Sequence, residues 1–128
     1  MDGIIETRLA PTARAPAQAR RAVERLAGRL RPYERHALQL LVSELVTNSV
    51  RHAELHPQQV IQLEIRVRPE AVRVSVSDPG QGFAPPTDPP SPHEPGGWGL
   101  FLVQRVADRW GVRRDSQNEV WFELARAV

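Results

Sequence analysis

Residues 72–83 read Val-Arg-Val-Ser-Val-Ser-Asp-Pro-Gly-Gln-Gly-Phe. Valine alternates with a polar residue up to Asp78, which is the period of a strand buried on one face. Asp78 continues the inward set Val72, Val74 and Val76, so its carboxylate points toward the core side. A carboxylate there loses hydration worth several kcal/mol unless partners replace the water. Two readings fit. Asp78 heads the turn Asp78-Pro79-Gly80-Gln81, or it is a buried acceptor for a ligand's N–H donor, such as an exocyclic amine. Gly80 and Gly82 permit positive φ and close backbone approach, and Phe83 returns the chain to the core.

The same period appears just upstream, where Leu63, Ile65 and Val67 alternate with Glu64, Arg66 and Arg68. Pro69-Glu70 is short enough to join the two strands as a hairpin. Further back, Ile4 to Leu9 forms a short opening strand. Pro16 suits the first turn of a helix running to about Leu30, with Ala22, Leu26 and Arg29 on one face and Val23 and Leu30 beside them. Pro32 opens a longer helix to about Ala53, with the apolar stripe Leu38, Leu41, Val42, Leu45, Val46 and Val50. Pro57 ends that region.

Downstream, residues 79–97 hold seven of the chain's 12 prolines and four glycines, a loop too long for a mere connector that reads as a functional lid or a disordered segment. A third helix is expected from about Trp98 to Arg109. Short strands near Val112–Asp115 and Glu119–Leu124 follow. One domain over residues 1–128 accommodates this order.

Gly96, Gly97 and Gly99 lead directly into the third helix. Glycines at a helix start expose unpaired amides to an anion, and the helix dipole adds to the attraction. Glu44 and Asn48 lie one turn apart on the flank of the long helix's apolar stripe, with His52 one turn further on. A solvated flank would account for the pair. A metal-assisted site gives its members separate jobs: Asn48 Oδ1 as a Mg²⁺ ligand beside substrate phosphates, and Glu44 as acceptor of a proton from an attacking hydroxyl or water.

Composition narrows the chemistry. All 17 basic residues are arginine, so no phosphate-binding lysine exists. There is no cysteine, hence no disulfide, thiolate metal site or thiol nucleophile. The sequence pI of about 10.3 reflects arginine's high intrinsic pKa, because the net charge is only +2. The arginines are spread thinly, without the stripe and docking motif of a DNA reader, and direct nucleic-acid binding is not expected. No apolar run approaches the ~20 residues of a membrane span, and Met1-Asp2-Gly3-Ile4-Ile5-Glu6 lacks signal-peptide features. A cytoplasmic protein is expected.

Three motifs occur in order: Glu44-Leu-Val-Thr-Asn48-Ser-Val-Arg-His52, Asp78-Pro-Gly80-Gln-Gly82-Phe83, and Gly96-Gly97-Trp98-Gly99-Leu100. In this combination the chain resembles the Bergerat-fold ATPases, which include gyrase, heat-shock chaperones and sensor histidine kinases. Within them it is most similar to the small anti-sigma-factor serine kinases.

The resemblance implies an α/β (α+β) two-layer sandwich, a mixed but mostly antiparallel sheet with three helices on one face. It implies ATP and Mg²⁺ as cofactors, with Glu44 as catalytic base and Asn48 as metal ligand. Asp78 would accept the adenine amino group, with Gly80, Gly82 and Phe83 around it. Gly96, Gly97, Trp98, Gly99 and Leu100 would surround the phosphates. His52 matches a family position without a role to assign. Relatives often carry Gly-Thr before the last strand; here the stretch is Gln117-Asn118-Glu119-Val120, and Asn118 stands in as a hydrogen-bonding residue of the pocket. The implied partners are an anti-sigma antagonist protein and a sigma factor, with room for a homodimer. The alternative activity is an ATP-responsive binding module without significant turnover. A histidine kinase catalytic domain fits less well, since the first helix carries no histidine.

Overall fold

The computed structural model describes residues 3–80 and 99–126, and in the long helix the His52 side chain is not described. The elements are β1 (Gly3–Leu9), α1 (Ala15–Glu24), α2 (Pro32–His52), β2 (Ile61–Val67), β3 (Ala71–Asp78), α3 (Gly99–Val106), β4 (Arg109–Arg114) and β5 (Asn118–Ala125). The strands form one sheet in the order β1-β2-β3-β5-β4, and every pairing is antiparallel.

The alternation read from the sequence divides the two faces. Ile61, Leu63, Ile65 and Val67 of β2, Val72, Val74 and Val76 of β3, and Phe122 and Leu124 of β5 are buried. They share one core with Ala15, Ala19, Ala22 and Val23 of α1, Leu38 to Val46 of α2, and Leu100 and Val103 of α3. Each of the larger side chains contributes ~1.5–3 kcal/mol by leaving water. The helices thus cover one face of the sheet, as the expected α+β sandwich requires.

The open face carries charge and one indole. Trp121 lies against Gly111, where an added Cβ would come within 2.6 Å of its Nε1. The Arg73 guanidinium stacks 4.2 Å from the indole centroid, and both Arg73 and Arg109 pair with Glu123.

Both proline starts hold, with Pro16 and Pro32 in the first turns of α1 and α2. Two helix ends differ from expectation. α1 stops at Glu24 instead of Leu30, and a 3₁₀ turn occupies Ala27–Arg29. Arg29 is consequently exposed, unlike the buried Ala22 and Leu26, and its side chain lies over Gly3. α3 stops at Val106 instead of Arg109, because Asp108 is captured by the last strand. Its N–H donates to Glu123 O at 2.9 Å, and its Oδ2 accepts the Ala125 N–H at 2.7 Å. Arg109 accordingly begins β4.

One buried ion pair ties the termini of several elements together. Glu34, fully buried in the first turn of α2, accepts the Arg31 N–H at 2.8 Å on Oε1 and Arg126 Nε at 3.0 Å on Oε2. Arg126 also donates to the carbonyls of Arg68 and Arg29, each at 3.0 Å. It thereby fastens the end of β5 to the β2–β3 connection and to the chain entering α2. Removing one partner of such a pair leaves a buried charge without compensation. Glu34→Ala is expected to lower the unfolding free energy by about 3–5 kcal/mol, measured by urea denaturation. A loss under 1 kcal/mol would show that the pair contributes nothing net.

Candidate functional site

At the end of the molecule away from Arg126, α2, β3 and β5 converge on Asp78. Asp78 is the last residue of β3 and, as its inward position implied, is buried at 5% exposure. Its neighbours come from three elements. Ser49 Oγ of α2 donates to Oδ2 at 2.8 Å. The Gly80 N–H donates to Oδ1 at 2.9 Å, and Asn118 Nδ2 of β5 donates to Oδ1 at 3.2 Å. The turn reading and the buried-acceptor reading of Asp78 thus hold together. A carboxylate oxygen accepts two hydrogen bonds; among the described residues Oδ1 has two donors and Oδ2 has Ser49 alone, which leaves capacity for one more.

Asn118 stands directly opposite Asp78 in the β3–β5 register. Its amide also donates to the Gly80 carbonyl, so it bridges the carboxylate and the turn that follows. Gly80 is required by the close passage of α2's end. A Cβ there would sit 2.2 Å from the Ala53 carbonyl oxygen and 2.8 Å from Leu55 Cδ2. The helix stops at that point because Ala53 is its C-cap and Glu54 turns to φ 52°, the left-handed geometry that often closes a helix.

Glu44 and Asn48 are placed one turn apart on the same flank of α2. Glu44 Oε2 and Asn48 Oδ1 are both buried and have no hydrogen-bond partner. A buried polar atom without a partner costs about 1–3 kcal/mol, and each of these two oxygens keeps capacity for a donor or cation that the described residues do not supply. Among the described residues no group of three or more His, Cys, Asp or Glu forms a cation cage. A cation at Asn48 would therefore draw its other ligands from water or a bound anion, as Mg²⁺ does beside phosphates.

The structure thus brings Glu44, Asn48, Asp78, Gly80 and Asn118 to one end of the fold. Gly99 begins α3, and Leu100 is buried in the core under the same end of α2's packing. Gly82, Phe83, Gly96, Gly97 and Trp98, with most of the expected lid, lie outside the described residues, as does the His52 side chain. Sequence reasoning missed Ser49. A signal for it existed: Leu38, Val42, Leu45 and Ser49 fall on one line of the helix, so a hydroxyl interrupts an apolar row where an inward aspartate arrives.

Comparisons with known proteins give the family and the fold. Residues 9–124 match the histidine kinase-like ATPase domain family, and the chain belongs to it. No curated protein matches the sequence significantly. Among solved structures, the RsbU and RsbW domains of Rv1364c from Mycobacterium tuberculosis superpose with a TM-score of 0.72 at 18% identity. The match covers 98% of this chain and 33% of that one, so this chain spans about a third of that chain's length. Among the described residues no helix is long and apolar enough to cross a membrane.

Ser49 gives the site a direct stability test. A hydrogen bond to a charged acceptor contributes about 1.5–3 kcal/mol, so Ser49→Ala is expected to lower stability by that amount in urea denaturation. Ser43→Ala, whose hydroxyl reaches only the exposed Leu40 carbonyl, should stay within about 0.5 kcal/mol of wild type.

Proposed function

We propose that the chain is a Mg²⁺–ATP-dependent protein serine/threonine kinase that phosphorylates an anti-sigma antagonist and so regulates a sigma factor. The observation that carries this reading is the pair of unpartnered buried oxygens, Glu44 Oε2 and Asn48 Oδ1, beside an aspartate anchored by three donors. Family membership supports the nucleotide, and the likeness to a structure containing an RsbW domain supports the direction of the biology.

Each residue then has a separate job. Asp78 holds the adenine amino group through the free capacity of Oδ2, while Ser49 on Oδ2 and Gly80 and Asn118 on Oδ1 keep the carboxylate aimed. The close packing of Gly80 on Ala53 keeps bulk out of the space where a planar base lies. Asn48 Oδ1 fits a magnesium ion, which when bound neutralises phosphate charge. Glu44 Oε2 takes the proton of the attacking serine or threonine hydroxyl as the γ-phosphoryl group passes to that oxygen and ADP leaves. The same pocket with Glu44 idle would be an ATP-responsive binding module, so the two activities separate at that one residue.

Calorimetry with Mg²⁺–ATP is expected to give saturable binding that Asn48→Ala weakens at least tenfold, while ATP binding in excess EDTA changes little between the two proteins. Loss of equal size with and without the metal would remove Asn48 as its ligand. Glu44→Gln should bind Mg²⁺–ATP like wild type yet lose about 10²-fold or more in transfer of labelled γ-phosphate to the antagonist. Binding by wild type without any transfer would leave the responsive module as the function.

A further inference from the structure

The outer edge of the sheet, two strands from Asp78, carries a second feature that nucleotide chemistry does not use. β1 is an edge strand, and α1 runs beside it. Between them lies a groove of about 560 Å³ lined by Thr7, Arg8 and Leu9 of β1 and by Gln18, Arg21 and Arg25 of α1. Gln18, Arg21 and Arg25 are spaced three and four apart, so they present one helix flank. Arg8, Arg21 and Arg25 are exposed, and among the described residues none of them forms an ion pair. The single carboxylate of α1 is turned the other way, since Glu24 is engaged by Arg35 and Gln39 of α2. Glu6 shares the open sheet face with Arg8 without pairing to it.

We infer that this groove binds an extended, acidic segment of a partner protein, laid along β1 as an added strand. An edge strand offers a row of unpaired backbone donors and acceptors. Arg21 and Arg25 on the helix side match carboxylates on alternate positions of the incoming strand, and Arg8 on the open face meets a position between them. A second copy of the chain is a poor occupant, because it would bring the same three cations. A nucleic acid fits less well than a peptide. The depression next to the groove on the open face is lined by Glu6, Glu64 and Glu119, which repel a long polyanion and confine the footprint to the edge.

The test uses the full chain without nucleotide, so its outcome does not depend on the ATP reading. The probe is a fluorescein-labelled octapeptide of alternating glutamate and valine, followed by anisotropy at low salt. Wild type is expected to bind it saturably, the double variant Arg21→Ala, Arg25→Ala at least tenfold more weakly, and Arg113→Ala within twofold of wild type. Hydrogen exchange at residues 7–9 should slow on binding. The same peptide with proline at every valine position should bind at least tenfold more weakly, because it lacks the strand's donors. No binding to wild type, equal loss in Arg113→Ala, or undiminished binding of the proline peptide would each overturn the inference. Tighter binding of single-stranded oligo-dT through the same arginines would overturn it in favour of nucleic acid.

Discussion

A single buried carboxylate sets the geometry of the functional end of this fold. Asp78 would be costly to bury alone, and the structure answers that cost with a hydroxyl from α2, an amide from the following turn and a side-chain amide from β5. The consequence reaches beyond the hydrogen bonds. Because the three donors come from three elements, they fix the height of α2 over the sheet, and that height decides where Glu44 and Asn48 stand. The turn after Asp78 must then pass the end of α2 so closely that only glycine fits at residue 80. Helix, sheet and loop are positioned together by one charge.

α2 connects this end of the molecule to the other. Its first turn is held by the Glu34–Arg126 pair and its last by Ser49 and Ala53. A helix of 21 residues secured at both ends does not slide or roll easily. Its middle is bound by a continuous apolar face. The two unpartnered oxygens of Glu44 and Asn48 are therefore set on a rigid support, and little of their ordering cost is left for a ligand to meet.

Much of this was legible in the chain. The period-2 runs located β2 and β3, and the prolines located the starts of α1 and α2, because these signals depend on neighbouring residues alone. The helix ends were not legible. α3 ends where β5 takes the backbone of Asp108, and the chain after α1 tightens where Arg126 takes the carbonyl of Arg29. Both depend on residues distant in sequence. The site divides in the same way. Glu44, Asn48 and Asp78 were readable from helical spacing and strand direction. Ser49 was not singled out, because a serine in a helix is ordinary until its partner is known. Asn118 was readable only as a departure from a family motif; its double bridge to Asp78 and Gly80 emerges from the β3–β5 register.

That register has a consequence for how such a chain changes over time. Asp78 and Asn118 face each other across 40 positions of sequence, and the sheet is continuous on both sides of the junction. The entropy lost in closing so long an excursion grows only with the logarithm of its length. α3 and β4 lie within this excursion, and Leu100 and Val103 of α3 are in the core, so changes of length are confined to the part between β3 and α3. Doubling the length of a connection costs only about 0.6 kcal/mol, whereas the short β2–β3 and β4–β5 connections set the register of their strands. Drift in length is thereby channelled to the stretch between Gly80 and Gly99 and kept out of the strands that hold Asp78 opposite Asn118.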